Sequence, residues 1–173
     1  MVQALFDLVG EGVLQPTAQQ VADRARVDIR TVFRHFADME SLLAEVNGRV
    51  RGQALPLFRE PRAGGTLEAR IRGLIERRAR LFELVGPYKR SGNLQRWRSE
   101  FIAREHAAFA RDLRRDLLAW LPELRSAHSE TVDALDAALS FEVWDGLRSE
   151  RRLGPERARV ALARLVTALL VIR

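Results

Sequence analysis

The chain has 173 residues, enough to bury a real core in one domain or two small ones. Apolar residues make up 47% and charged residues 30%, the proportions of a globular protein rather than a disordered one, and the absence of cysteine excludes a disulfide framework and a thiolate metal site. Net charge is +6, carried almost wholly by arginine, with Lys89 the sole lysine. That balance suits a polyanionic partner, yet residues 1–50 hold five arginines against seven acidic residues, so a DNA contact there must come from a local patch. No run approaches the ~20 apolar residues that span a bilayer. The opening MVQALFDLVGEG has neither a basic n-region nor a small-residue cleavage site. A protein without membrane contact, in the cytoplasm, is expected.

Apolar residues recur at spacings of three and four almost everywhere, which predicts an all-α chain. The first helix carries Val2, Leu5, Phe6 and Val9 inward and stops at Gly10 and Gly12. Thr17-Ala-Gln-Gln20 matches a capping box, so a second helix is expected from Ala18, with a narrow face of Ala18, Val21, Ala22 and Ala25. Val27 is an apolar residue in a polar connection and fits a plug at a corner. Asp28 can cap a third helix from Ile29, where its carboxylate also suits the positive end of the helix dipole. That helix is expected to turn Val32, Phe33 and Phe36 inward and Arg30, Thr31 and Arg34 outward, with His35 at the side. Asp38 caps the next helix, whose inner face is Leu42, Leu43, Val46 and Val50. Two short helices about a tight turn, the second with a cationic outer face, make a helix-turn-helix whose second helix enters the major groove. Arginine there can contact guanine O6 and N7, and threonine a phosphate or a thymine methyl.

Beyond this N-terminal unit, PRAGG at 61–65 marks a boundary, and Gly86-Pro87 and Gly154-Pro155 each read as a helix stop and restart. The body is expected to hold helices at 66–85, 87–120 (broken near Ser91-Gly92), 128–151 and 155–172, with Pro122 an interruption. Val132, Leu135, Leu139, Val143 and Leu147 form one apolar stripe. Leu162, Leu165, Val166, Leu169 and Leu170 form another. Two such helices from each protomer can build a four-helix bundle across a twofold axis, so Val132, Leu135, Leu139, Val143, Leu162, Val166 and Leu169 are expected at a dimer interface. The bland alternative is that both stripes close the monomer's own core. Trp97, Phe101, Phe109 and Phe141 are the expected lining of an apolar effector pocket, with Glu142 placed to orient a polar group on the ligand.

No enzymatic activity and no cofactor are expected. His35, His106 and His128 lie far apart, and there is no HExxH, nucleophile elbow or Gly-rich phosphate loop. The Glu105-His106 pair is better read as solvated helix charge.

The stretch TAQQVADRARVDIRTVFRHFADMESLLAEV, residues 17–46, resembles the DNA-binding domain of the TetR (tetracycline-repressor-like) family. The matching order is a threonine, a V-A-x-x-A helix, a V-D turn, T-V-F-x-H-F, and an acidic helix with Leu-Leu. The resemblance implies a helix-turn-helix DNA-binding domain over 1–50 and a helical ligand-binding and dimerisation domain over 51–173. It implies a homodimeric transcriptional regulator, usually a repressor, that binds a palindromic duplex operator and is released by a small, largely apolar effector. In that frame Thr17, Thr31 and His35 meet phosphates, and Asp28, Arg30 and Arg34 read or flank the groove. Three positions depart from the family pattern: Arg26 for glycine, Phe33 for tyrosine and Met39 for lysine. Helix 1 is expected to be cut at its start, without the basic residues that usually precede it. The alternative is a helical small-molecule-binding or assembly protein of the same fold with weak or lost DNA binding.

Overall fold

A computed structural model describes residues 1–35, 39–62 and 64–171; the side chains of residues 35, 39, 40 and 171 lie outside that description. Among the described residues there is no strand. The helices are α1 (Val2–Gly10), α2 (Ala18–Ala25), α3 (Ile29–His35), α4 (Met39–Arg59), α5 (Leu67–Gln95), α6 (Glu100–Trp120), α7 (Ser129–Ala138), α8 (Phe141–Asp145) and α9 (Pro155–Val171). A 3-10 turn runs over Pro122–Ser126, and a π turn over Gly146–Glu150 continues α8.

The contacts group the chain into two units, Met1–Pro56 with Val85–Ala107, and Leu57–Leu84 with Ala108–Arg173. In the first unit α1 buries Ala4, Leu5, Leu8 and Val9, while Val2 and Phe6 are only half-buried. Its inner face is therefore turned from the predicted one. Val21 and Ala22 of α2, Val32 of α3, and Leu42, Val46, Val50 and Ala54 of α4 complete the core with Val85 and Ile102. The Phe6 and Tyr88 rings stack at 4.7 Å. Ser91 Oγ donates to Leu14 O at 2.7 Å. A methyl group at Gly92 would lie 3.2 Å from His106 Nε2, so glycine there lets α5 and α6 approach closely.

The second unit buries Leu74, Leu81, Phe82, Leu117, Leu121, Leu135, Leu139, Trp144, Leu162 and Val166, among others. Phe82 and Phe141 meet edge to face at 5.7 Å. Buried charge is part of this core. Arg77 and Arg78 both face Asp116, Arg77 through a short hydrogen bond and Arg78 at 3.6 Å. Arg77 also lies over the Trp120 ring at 4.7 Å. Arg78 Nε and Nη1 have no hydrogen-bond acceptor among the described residues. Desolvation outweighs the attraction of Asp116 and pulls the Arg78 guanidinium down to about 10.

One predicted break is absent, one is shifted and one unpredicted break is present. Gly86-Pro87 does not end a helix, for α5 runs through it to Gln95. Proline removes one N–H and crowds the carbonyl four residues back, but Gly86 and its neighbour Val85 are buried, and packing holds the backbone helical. The break expected at Ser91-Gly92 falls at 96–99, where Ser99 Oγ accepts from the Ile102 N–H at 3.2 Å and starts α6. The helix predicted over 128–151 divides at Leu139-Ser140. There Ser140 Oγ accepts from Val143 N–H at 3.4 Å as an N-cap. The Pro122 interruption is present as the 3-10 turn, with proline at its first positions.

Candidate nucleic-acid interface

The site is built from three local devices around α2 and α3. The first is the capping box. Gln20 N–H donates to Thr17 Oγ1 at 3.2 Å, and Thr17 N–H donates to Gln20 Oε1 at 2.8 Å, so two otherwise orphaned donors are satisfied at once.

The second is the turn. Arg26 sits in the left-handed conformation, φ 55° and ψ 46°. Its N–H donates to Asp23 O at 3.2 Å, and Val27 N–H donates to Ala22 O at 3.0 Å. This paired closure is the Schellman motif that glycine usually makes; here arginine makes it, at a cost of ~1–2 kcal/mol. Val27 is half-buried behind it, as its place in the corner predicts.

The third is the Asp28 cap. Its Oδ1 accepts from Arg30 N–H at 2.7 Å, and its carbonyl accepts from Thr31 N–H at 2.8 Å. Residues 18–35 are thus two rods and a corner, not one helix.

With α3 so placed, Val32 faces the core at 2% exposure. Arg30 and Arg34 are exposed, and neither is ion-paired with another described residue. Thr31 is half-buried and Asp28 is exposed as the cap. Phe33 corrects the expectation: it is 59% exposed and does not point inward. On a 3.6-residue turn only Val32 and, in part, Ile29 can face α2, and Phe33 shares the arc of Arg30 and Arg34. The i, i+3, i+4 spacing of 30, 33 and 34 was the signal that could have found it. Phe36, Asp38 and the side chains of His35 and Met39 lie outside the described residues.

Arg24, beside this face, is held differently. Its guanidinium donates to both Glu11 oxygens, at 2.8 and 2.5 Å. That hydrogen bonding holds the Glu11 carboxyl below the usual carboxylate range and raises the Arg24 guanidinium. An open groove of about 450 Å³, lined by Leu8, Gln20, Asp23, Arg24 and Arg26, runs along α1 and α2.

The other predicted residues fall as follows. Trp97 is 81% exposed, beside Arg96. Its place between α5 and α6, where the backbone leaves both helices, turns it outward. Phe101 is half-buried in the first unit, and Phe109 half-buried in the second. Phe141 is buried on Phe82, while Glu142 is exposed. Of the stripe residues, Val132, Leu135, Leu139, Leu162 and Val166 are buried within the chain itself, where α7 and α9 pack together. Val143 and Leu169 remain half-exposed, and Val160 and Leu165 are exposed on α9.

Among the described residues no group of three or more His, Asp or Glu is arranged to hold a metal ion. No described helix is long and apolar enough to cross a membrane.

No protein-family model matches the chain, and no curated protein does. Solved structures do. A transcriptional regulator from Rhodococcus sp. Rha1 is similar over 98% of this chain and 93% of its own, with a TM-score of 0.72 at 23% identity. A protein assigned to the TetR family of transcriptional regulators, from Mesorhizobium loti MAFF303099, is similar over 99% of this chain and 93% of its own, with a TM-score of 0.62 at 17% identity. Near full-length coverage on both sides extends the likeness from the helix-turn-helix through the helical body. The chain has the fold of a TetR-family transcriptional regulator.

Proposed function

We propose that the chain is a DNA-binding transcriptional regulator, acting as a homodimer on a palindromic operator and released from it by a small, largely apolar effector. The observation that carries this reading is the pair of exposed arginines, Arg30 and Arg34, on the outer face of a short helix whose backbone is fixed by a cap and a left-handed turn. Guanidiniums that pair with no described residue can form bidentate bonds with guanine O6 and N7, and the loss of counterions from DNA adds affinity. Thr17, Thr31 and His35 are the proposed phosphate partners, and Asp28 the residue that flanks the groove and aims α3 as its cap. The likeness of the fold to two transcriptional regulators supports the same reading.

A helix-turn-helix of this kind works in twofold pairs, with half-sites about one turn of DNA apart. For the pair we propose the edge of α9 that carries exposed Leu165 and, one turn on, half-exposed Leu169, together with Val143. The effector is proposed to bind within the second unit, where Phe109 keeps accessible surface. Residues 39–58 are the proposed lever from the body to α3. A ligand changes DNA affinity only through its differential affinity for the two forms, and a coupling of ~1–3 kcal/mol is ordinary.

Arg30→Ala and Arg34→Ala test the reading in a competition assay on duplexes selected from a random library by the full chain. Each is expected to weaken binding and to relax the sequence preference. Preserved preference in both variants overturns base reading by these residues. Absence of any duplex binding favours the helical small-molecule-binding or assembly reading, to which the acidic excess of residues 1–50 gives some support.

A further inference from the structure

We propose that Phe33 reads the C5-methyl of a thymine in the major groove, so that each operator half-site holds a thymine beside the base contacted by Arg30 or Arg34. The proposal rests on the DNA-binding reading and goes beyond it by naming a base and the atom recognised.

Three observations converge. Phe33 is 59% exposed on α3, whereas Val32 beside it is 2% exposed. Phe33 lies at i+3 from Arg30 and directly before Arg34, so on a 3.6-residue turn the three side chains share about 100° of arc. The ring thus shares its face with two exposed cations that are free of ion pairs with described residues. A phenyl ring carries no donor or acceptor, so contact with a phosphate oxygen brings it no hydrogen bond. What it can gain is removal of apolar surface from water.

Charge and apolar surface together select the occupant. Two guanidiniums favour a polyanion, and the ring beside them on the same face favours an apolar group. The major groove offers one such group, the thymine methyl, set among the base-edge acceptors that arginine uses. An apolar face of a second protein chain could cover the ring, but it would leave both guanidiniums desolvated without partners, which opposes binding. Duplex DNA satisfies all three side chains at once.

The test uses the full chain and the duplex it enriches from a random library. Each thymine of that duplex is replaced in turn by deoxyuridine, which removes the methyl and nothing else. Burial of one methyl corresponds to about four-fold in affinity. At one thymine per half-site the unaltered chain should therefore lose about four-fold on replacement. Phe33→Ala should bind the thymine duplex about four-fold or more weakly and show no further loss with deoxyuridine. Phe33→Leu, which keeps an apolar contact, should keep part of the discrimination. The side chain is exposed, so unchanged melting temperatures are expected for both variants. If deoxyuridine is tolerated at every position, or if its penalty survives intact in Phe33→Ala, the proposal is wrong while the DNA-binding reading stands. If no duplex is enriched at all, the DNA-binding reading falls and takes the proposal with it.

Discussion

Replacing Arg26 with glycine should stabilise the first unit, although it deletes a long side chain. Arg26 holds φ 55° and ψ 46°, a conformation in which the Cβ of an L-residue crowds its own backbone. Relief of that crowding is worth ~1–2 kcal/mol. Glycine's greater freedom in the unfolded chain takes back ~0.4–1 kcal/mol. The guanidinium is exposed and unpaired among the described residues, so its loss subtracts little. The net gain is about 0.5–1 kcal/mol, which at this chain length raises the melting temperature by about 1–4 °C. Urea unfolding should show a higher midpoint at an unchanged slope. Hydrogen exchange gives the local reading: the Val27 amide, which closes on Ala22 O at 3.0 Å, should exchange about two- to five-fold more slowly. Arg26→Ala keeps the Cβ and should gain nothing. A glycine variant no more stable than the parent, or an alanine variant equally stabilised, would refute backbone strain at this corner.

Three other outcomes follow from the same geometry. Thr17→Ala removes the Oγ1 that accepts from Gln20 N–H, while the backbone N–H of residue 17 can still donate to Gln20 Oε1; the change should cost about 1 kcal/mol, read as a lower urea midpoint. Asp116→Ala leaves Arg77 and Arg78 buried without their shared carboxylate and should cost ~3–5 kcal/mol, visible as a large drop in thermal stability. Tyr88 is the sole tyrosine, and burial pushes its phenol up to about 12. The neutral form is thus favoured by folding, so this contribution is whole below pH 10 and is lost as pH rises through about 12. Ultraviolet titration of the folded chain should show phenolate appearing near pH 12, and the same chain in urea near pH 10.

What could be read from the sequence was whatever a few neighbouring residues decide among themselves. The Thr17–Gln20 box, the Asp28 cap and the corner at Val27 are settled by hydrogen bonds between residues two to five apart, and each stands where the residues place it. At Arg26 only the family resemblance, which usually has glycine there, points to a special backbone; the left-handed conformation itself is seen in the structure. The misreadings involve packing between distant segments. Gly86-Pro87 carries a strong local stop signal, yet tertiary contacts carry α5 through it. Gly92 reads as a breaker but serves the close approach of α6 at His106. Val132, Leu135 and Leu162 make a stripe that suits a partner or a core equally well, and only coordinates show that the chain covers them itself. Phe33 was assigned inward by its hydrophobicity, although its spacing from Arg30 already set it on the outer face.

The most direct measurement is the salt dependence of duplex DNA binding by the full chain, taken alongside the Arg30→Ala, Arg34→Ala double variant. If α3 lies in the groove with both guanidiniums engaged, log affinity falls steeply and linearly with log salt concentration. The double variant then binds more weakly with a distinctly shallower slope. A flat response, or a double variant that matches the parent in affinity and slope, would contradict a recognition role for α3.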